Sequence, residues 1–181
     1  ADRPAGRDGY DLSLSAFPKS IIVDYSAALA AAGLCPLALE IEAQAITRSV
    51  VRLGDERLTM IVDFGKTRVS FFIASGSVVL FTTTTEHIAG EDITKAIQKS
   101  LNLTYADAEV LKVEKGFLAS RARPELFSAL LPIVSVLRDE IIKHYSWWES
   151  RRNGQGRFDR AIEQIIICGG QATLPGLIDY L

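Results

Sequence analysis

The sequence predicts an α/β protein built around a mixed sheet. Three observations predict it. Residues 57–83 hold three short apolar runs joined by tight turns, the pattern of an antiparallel meander. From Asp92 the apolar spacing changes to a helical period that persists to about Trp148. A last apolar run, Ile162 to Cys168, then meets Gly169-Gly170 and a proline-initiated helix.

Taken in order, Tyr10 to Phe17 alternates apolar and polar positions (Tyr10, Leu12, Leu14, Ala16), as a half-buried strand does. Pro18 suits the first turn of a helix carrying Ile21, Ile22, Tyr25, Leu29 and Ala32, and Gly33 ends it. Cys35 to Ile41 reads as a second strand, and Glu42 to Leu53 as a short helix. The meander comprises Arg57 to Asp63, Val69 to Ala74 and Val78 to Thr83, with turns at Gly65-Lys66-Thr67 and Ser75-Gly76. Helices follow over Asp92 to Leu101 and Thr104 to Lys115, the second with Thr104 as cap and Asp107 three residues on. Pro124 opens a long helix with Leu126, Leu130, Ile133, Val134, Leu137, Ile141 and Tyr145 on one stripe. Pro132 is expected to kink it or split off its first turns. Glu149 to Arg160 reads as a polar loop.

The 181 residues suit one domain, or one domain and part of another. With 48% hydrophobic and 23% charged residues, the chain can form a core. Its net charge of −2, with both signs interspersed, offers no basic face for nucleic acid. Cys35 and Cys168 lie far apart in apolar runs and read as two buried thiols rather than a disulfide. Two histidines and no CxxC give no zinc signature. No apolar stretch reaches the ~20 residues of a membrane span. A start at Ala1 followed by a polar, Gly/Pro-rich stretch reads as a cut within a longer protein or a processed end.

Candidate chemistry sits in the turns. Asp63-Phe64-Gly65-Lys66-Thr67 could bring backbone N–H groups, the Lys66 ammonium and the Thr67 hydroxyl to a phosphate, because glycine removes the Cβ that would block close approach. Asp63, at a strand end, could hold magnesium, usually through water. Alone, this is also an ordinary hairpin turn. Gly169-Gly170, between a buried strand and a helix, could lie beneath a nucleotide or merely supply a turn. Glu109 and Lys112 share a helix face, as a sugar contact or as a surface ion pair. Tyr145, Trp147 and Trp148 read as partly buried core rather than a partner surface.

The collinear set changes these odds. Ala16-Phe17-Pro18-Lys19, Ala32 to Pro36, Ile41-Glu42-Ala43, Val62-Asp63-Phe64-Gly65, the run ADAEVLK from Ala106 to Lys112, Ile167-Cys168-Gly169-Gly170 and Leu174 to Leu177 together resemble the type IV pilus assembly PilM family. That family is related to the cell-division protein FtsA, within the actin-like ATPase superfamily. The resemblance covers nearly all of residues 10 to 181. It implies an actin-like, ribonuclease-H-like half-domain (βββααα-βα) over residues 57–181. Part of a small ferredoxin-like inserted subdomain would occupy 10–42, and a connecting helix 43–56. It also implies that Asp63, Gly65, Lys66 and Thr67 form the second phosphate loop, with Asp63 toward the metal. Glu109 and Lys112 would lie on the adenosine and ribose side, and Gly169 and Gly170 would form the adenosine motif.

The sequence departs from the family in three places. The first phosphate loop is not in it, Ala89-Gly90 stands for the family's Gly-Gly, and the chain ends in the helix after Gly170. ATP and Mg2+ are therefore expected of the complete protein rather than of this piece. No residue is identified as catalytic. The implied role is a cytoplasmic scaffold peripheral to the inner membrane, docking the N-terminal segment of a PilN-like membrane protein and other pilus inner-membrane components, with self-association left open. The alternatives are a sugar-kinase-like phosphotransferase and an FtsA-like division protein.

Overall fold

Alternation within the first strand organises the fold. In β1 (Leu58–Phe64), Leu58, Met60, Val62 and Phe64 point to one face and Ile61 to the other, and all five are buried. A strand buried on both faces must lie inside the sheet with layers on either side. The computed structural model describes residues 14–119, 123–151 and 160–181 and shows this arrangement. β2 (Val69–Ser75) and β3 (Val78–Thr85) complete the meander antiparallel to β1, and β4 (Gln164–Cys168) pairs parallel to β1 on its other side. The order is β3-β2-β1-β4, a four-stranded mixed sheet.

One face carries the larger core. Leu58, Met60, Val62, Phe64, Val69, Phe71 and Ile73 pack there against α3 (Gly90–Leu101), α4 (Tyr105–Lys115) and α5 (Pro124–Ser150). A 3-10 turn at Gly116–Ala119 and a final helical turn, α6 (Leu177–Tyr180), close that layer. On the other face Ile61, Phe72 and Ala74 meet Ala43 and Val51 of α2 (Glu42–Val50) and its C-cap. α1 (Lys19–Ala31) buries no residue among those described.

Most predicted elements fall within a few residues of the observed ones. Thr104 caps α4, accepting a hydrogen bond from the Asp107 N–H at 3.1 Å. The predicted stripe of α5 is buried at Leu126, Leu130, Val134, Leu137 and Ile141. Trp148 is buried too and donates from Nε1 to the Arg160 carbonyl at 3.0 Å.

Four expectations need correction. α5 is continuous through Pro132 rather than split, with buried residues packed on both sides of the proline. Cys35 to Ile41 forms no strand, because no described segment pairs with it; Leu37 stands fully exposed there. The same is true of residues 14–17, while residues 10–13 of that predicted strand lie outside the described residues. Both cysteines are free, but Cys35 is exposed rather than buried. Most of the predicted 149–160 loop also lies outside the described residues.

Candidate functional site at the ends of the parallel strands

β1 and β4 run parallel and end side by side, with Asp63 opposite Cys168. The carboxyl ends of parallel strands form a natural crevice, because the chain leaves each strand in a different direction. Four segments meet there: the turn after β1, the start of α3, the outer face of α4 and the turn after β4.

The first turn is fixed by backbone bonds. Gly65 N–H donates to the Arg68 carbonyl at 3.0 Å, closing the hairpin. The Gly65 carbonyl accepts from Gly90 N–H at 3.0 Å, and the Lys66 carbonyl from Glu91 N–H at 2.8 Å. Two otherwise unpaired donors of the first turn of α3 are thereby satisfied by the loop. Asp92 completes the cap by accepting from Ala89 N–H at 2.9 Å. Lys66 and Thr67 are exposed at the crest of this turn.

The second turn presses onto the first. Gly169 has φ +87°, and a Cβ there would sit 2.4 Å from Asp63 Oδ1 and 2.6 Å from the Phe64 carbonyl. Only glycine allows this backbone both its conformation and its approach. Gln171 N–H then donates to the Phe64 carbonyl at 3.0 Å. Gly170 is open, with nothing within 4 Å of where a Cβ would be.

Asp63 is half-buried, and its carboxyl is pushed above the ordinary value, first by burial and then by the Glu42 carboxylate; the Arg68 guanidinium opposes this. Glu42 and Arg68 pair at 2.9 Å. Burial, and secondarily Asp63, push the Cys168 thiol up to about 11, so it stays protonated.

Glu109 and Lys112 belong to the same crevice. Lys112 is 2% exposed, and its Nζ lies 3.2 Å from the Gly90 carbonyl, 2.9 Å from Thr94 Oγ1 and 2.9 Å from Glu109 Oε2. Burial would raise the Glu109 carboxyl, but hydrogen bonds from Lys112 and Thr94 and the charges of Lys112 and Lys66 outweigh it, and the net displacement is downward. Lys112 holds the Gly90 carbonyl and the Gly90 N–H holds the Gly65 carbonyl, which ties the Glu109–Lys112 pair to the loop.

The eight residues singled out from sequence therefore converge. Gly169 presses on the Asp63 side chain and the Phe64 carbonyl, Gly65 is tied to Gly90, Lys66 and Thr67 crest the loop, Gly170 forms the open lip, and Glu109 and the buried Lys112 lie on the α3–α4 side. Sequence reasoning missed Thr94 and Gln171. Thr94 lies four residues after Gly90, a spacing that could have signalled a side chain returning to the helix start. A separate hollow of about 210 Å3 lies at the opposite end of β1, beside Val51, Arg52, Gly54 and Gly76, and shares none of these residues. Among the described residues no cluster of three His, Cys, Asp or Glu side chains could hold a metal, and no helix is long and apolar enough to cross a membrane.

A family model, type IV pilus assembly protein PilM, matches residues 3–181. The chain belongs to the PilM family. The cell division protein FtsA of Enterococcus hirae is 28% identical, over 90% of this chain and 40% of its own length. Among solved structures, a PilM-PilN type IV pilus biogenesis complex matches with a TM-score of 0.63 at 21% identity, over 90% of this chain and 44% of that one. MreB5 of Spiroplasma citri bound to ADP matches with a TM-score of 0.65 at 19% identity, over 92% and 58%. The ethanolamine utilization protein EutJ from Carboxydothermus hydrogenoformans matches with a TM-score of 0.61 at 19% identity, over 85% and 50%. These likenesses establish the actin-like fold. This PilM-family chain spans between two fifths and three fifths of the length of these relatives.

Proposed function

We propose that this chain is the nucleotide-facing half of a cytoplasmic, actin-like scaffold of a type IV pilus or related secretion machine. The observation that carries the reading is that Asp63 and Gly169 meet at the ends of β1 and β4, and that Gly90 links the adjoining Gly65 turn to the Glu109–Lys112 pair. The parts of this site suit Mg-ATP. Gly65 and the exposed Gly169-Gly170 backbone present a surface without Cβ atoms, on which phosphates and adenosine can lie. Lys66 and Thr67 supply donors to phosphate. Asp63, whose ionised form is disfavoured by burial and then by the Glu42 carboxylate, would be relieved by a cation held through water. Bound Mg-ATP would supply polyphosphate charge that bridges this half and a facing half, favouring one relative arrangement of the two. In this reading the nucleotide acts chiefly as a structural or conformational ligand, with at most weak ATPase activity.

Within this reading residues 10–42 belong to the small inserted subdomain, 43–56 to the connecting helix and 57–181 to the nucleotide-binding unit. The solved PilM-PilN complex supports a PilN-like partner, and the reading takes that partner to be an inner-membrane protein whose N-terminal segment docks here, with the scaffold peripheral to that membrane. The test is calorimetric titration of Mg-ATP into this chain and into a form extended N-terminally to add the family's first phosphate loop. Binding by the extended form alone supports a split site. No binding by either, with both folded, leaves a pure interaction scaffold and removes the nucleotide from the account.

A further inference from the structure

The meander leaves one of its strands with a free side. β3 pairs with β2 and forms an edge of the sheet. Among the described residues no backbone–backbone hydrogen bond outside that ladder reaches residues 78–85. An edge strand presents a row of N–H and C=O groups that serves as a template for another strand, and proteins usually blunt it with a charge, a proline or a short length. β3 has eight residues, VVLFTTTT, with neither a charge nor a proline. All but Leu80 are β-branched or aromatic, the types that pair well across strands. A bulge at Leu80, which has no residue opposite it in β2, is its one protection and leaves Phe81 to Thr85 regular. The opposite edge, β4, has five residues and ends in the crevice described above.

The charges at the two ends of β3 decide what fits it. Glu86 and His87 follow its last residue and are exposed. Before its first residue lies the hollow beside Gly76 and Ser77, ringed by Arg48, Arg52 and Glu56. Arg48 is taken by Glu40, whereas Arg52, Glu56 and Glu86 have no ion pair among the described residues. Glu56 lies over the turn, with Oε2 3.5 Å from where a Cβ on Gly76 would be. In an antiparallel pairing of β3 with itself, Val78 would stand opposite Thr85 of the second copy and Phe81 opposite Thr82. The same register sets Ser77 opposite Glu86 and Gly76 opposite His87. Glu86 then meets Arg52, and an imidazole N–H of His87 meets Glu56, once at each end of the pair.

We propose that β3 is a self-association edge at which two copies of this chain join about a two-fold axis between Phe81 and Thr82, merging two four-stranded sheets into one of eight. The neutral strand supplies the ladder, and the flanking charges fix its register. A slip of one residue would turn every side chain to the other face and draw Glu86 away from Arg52. The contact uses the same patch on both copies, so it closes at two and builds no fibre. A net charge of −2 per chain opposes the approach only weakly. The pairing draws on no residue of the nucleotide crevice and stands apart from that reading.

The test is sedimentation velocity of this chain, of Arg52→Glu and of Glu86→Lys over a wide range of concentration, with hydrogen exchange of the amides of residues 78–85 measured at both ends of the range. Both substituted residues are exposed, so each variant keeps its fold, which circular dichroism checks. The unaltered chain forms a dimer, and alternate amides of β3 gain protection as it forms. Each single variant sets like charges opposite one another at both ends and weakens the dimer by roughly 10- to 100-fold. An equimolar mixture of the two variants restores it, because each supplies the charge the other lacks. A monomer at every concentration overturns the proposal. So does association that neither substitution weakens, which would place the contact elsewhere, as on the exposed Leu34 and Leu37. Growth beyond two copies, or a dimer with β3 amides unprotected, overturns it as well.

Discussion

Replacing Gly169 by alanine isolates how closely the two turns approach. The residue sits at φ +87°, where a side chain is strained by about 1–2 kcal/mol. Its Cβ would lie 2.4 Å from Asp63 Oδ1 and 2.6 Å from the Phe64 carbonyl oxygen. Asp63 could rotate away, but the Phe64 carbonyl cannot, because it accepts from Gln171 N–H two residues after the substitution. The strands must therefore separate locally, an overpacking penalty of typically 1–3 kcal/mol. Together these give a loss of roughly 2–5 kcal/mol. For a chain of this size each kcal/mol shifts Tm by about 2–4 °C, so the expected drop is on the order of 10 °C. Gly170→Ala is the matched control: no atom lies within 4 Å of its Cβ position and its φ is outside the left-handed region. Its expected effect is within about 0.5 kcal/mol. Thermal unfolding followed by circular dichroism reads both. If Gly169→Ala melts within a degree of the unaltered chain, or if both variants lose equally, the close packing of the β4 turn on Asp63 is wrong.

Two further perturbations probe the scaffold behind the site. His144 packs against Phe71 with the rings tilted and their centroids 4.6 Å apart, and burial lowers its pKa from 6.5; the Glu140 carboxylate opposes this and the Lys143 ammonium adds to it. The unfolded chain then binds the proton more readily than the folded one. Stability should fall as pH drops through the ordinary histidine range and level off above it. Denaturation midpoints taken between about pH 5 and 8 should show this slope in the unaltered chain and a flatter one in His144→Gln. Pro132 is exposed within α5 and leaves the Ser128 carbonyl without its helical donor. Pro132→Ala should therefore stabilise the chain by roughly 1–3 kcal/mol in urea unfolding, and a loss of stability would mean that the proline fits a bend the helix needs.

The sheet was legible in the sequence because its signal is local. Alternation in β1, short turns at Gly65 and Gly76, and the apolar run ending at Cys168 each act within a few residues. What failed needs partners that local pattern cannot name. Cys35 to Ile41 has strand composition, but a strand exists only through its ladder, and no described segment supplies one. Pro132 read as a breaker, but packing at Leu126, Leu130 and Val134 overrides its local penalty. At the site, residue types and chain order pointed to Asp63, Glu109 and Lys112. Depth was not legible, because the i,i+3 spacing of Glu109 and Lys112 is the same for an exposed pair and for one whose ammonium is sealed under α3. Gln171 was missed for the same reason, and so was the link from Thr94 to Glu109, since those partners are 15 and more residues away in sequence.

That distance also explains how the site can act as a junction. The turn at Gly65-Lys66 has little structure of its own. It is held by Arg68 within the hairpin, by Gly90 and Glu91 from α3, and, one residue earlier, by Gln171 after β4. Its conformation is therefore a property of the whole sheet-and-helix layer, and a ligand binding it must work against that layer rather than against a free loop. Arg68, which closes the hairpin through its carbonyl, extends its guanidinium to Glu42 at the start of α2 on the opposite face of the sheet. On the proposed reading, a displacement of the turn would reach α2, the helix that follows the exposed 14–41 segment, through this pair. An exposed pair such as Arg68–Glu42 contributes at most about 1 kcal/mol. That is enough to bias two arrangements of α2 by several-fold, and too little to lock either. If the proposed scaffold role holds, a coupling of this size would let an occupied site bias α2 without fixing it.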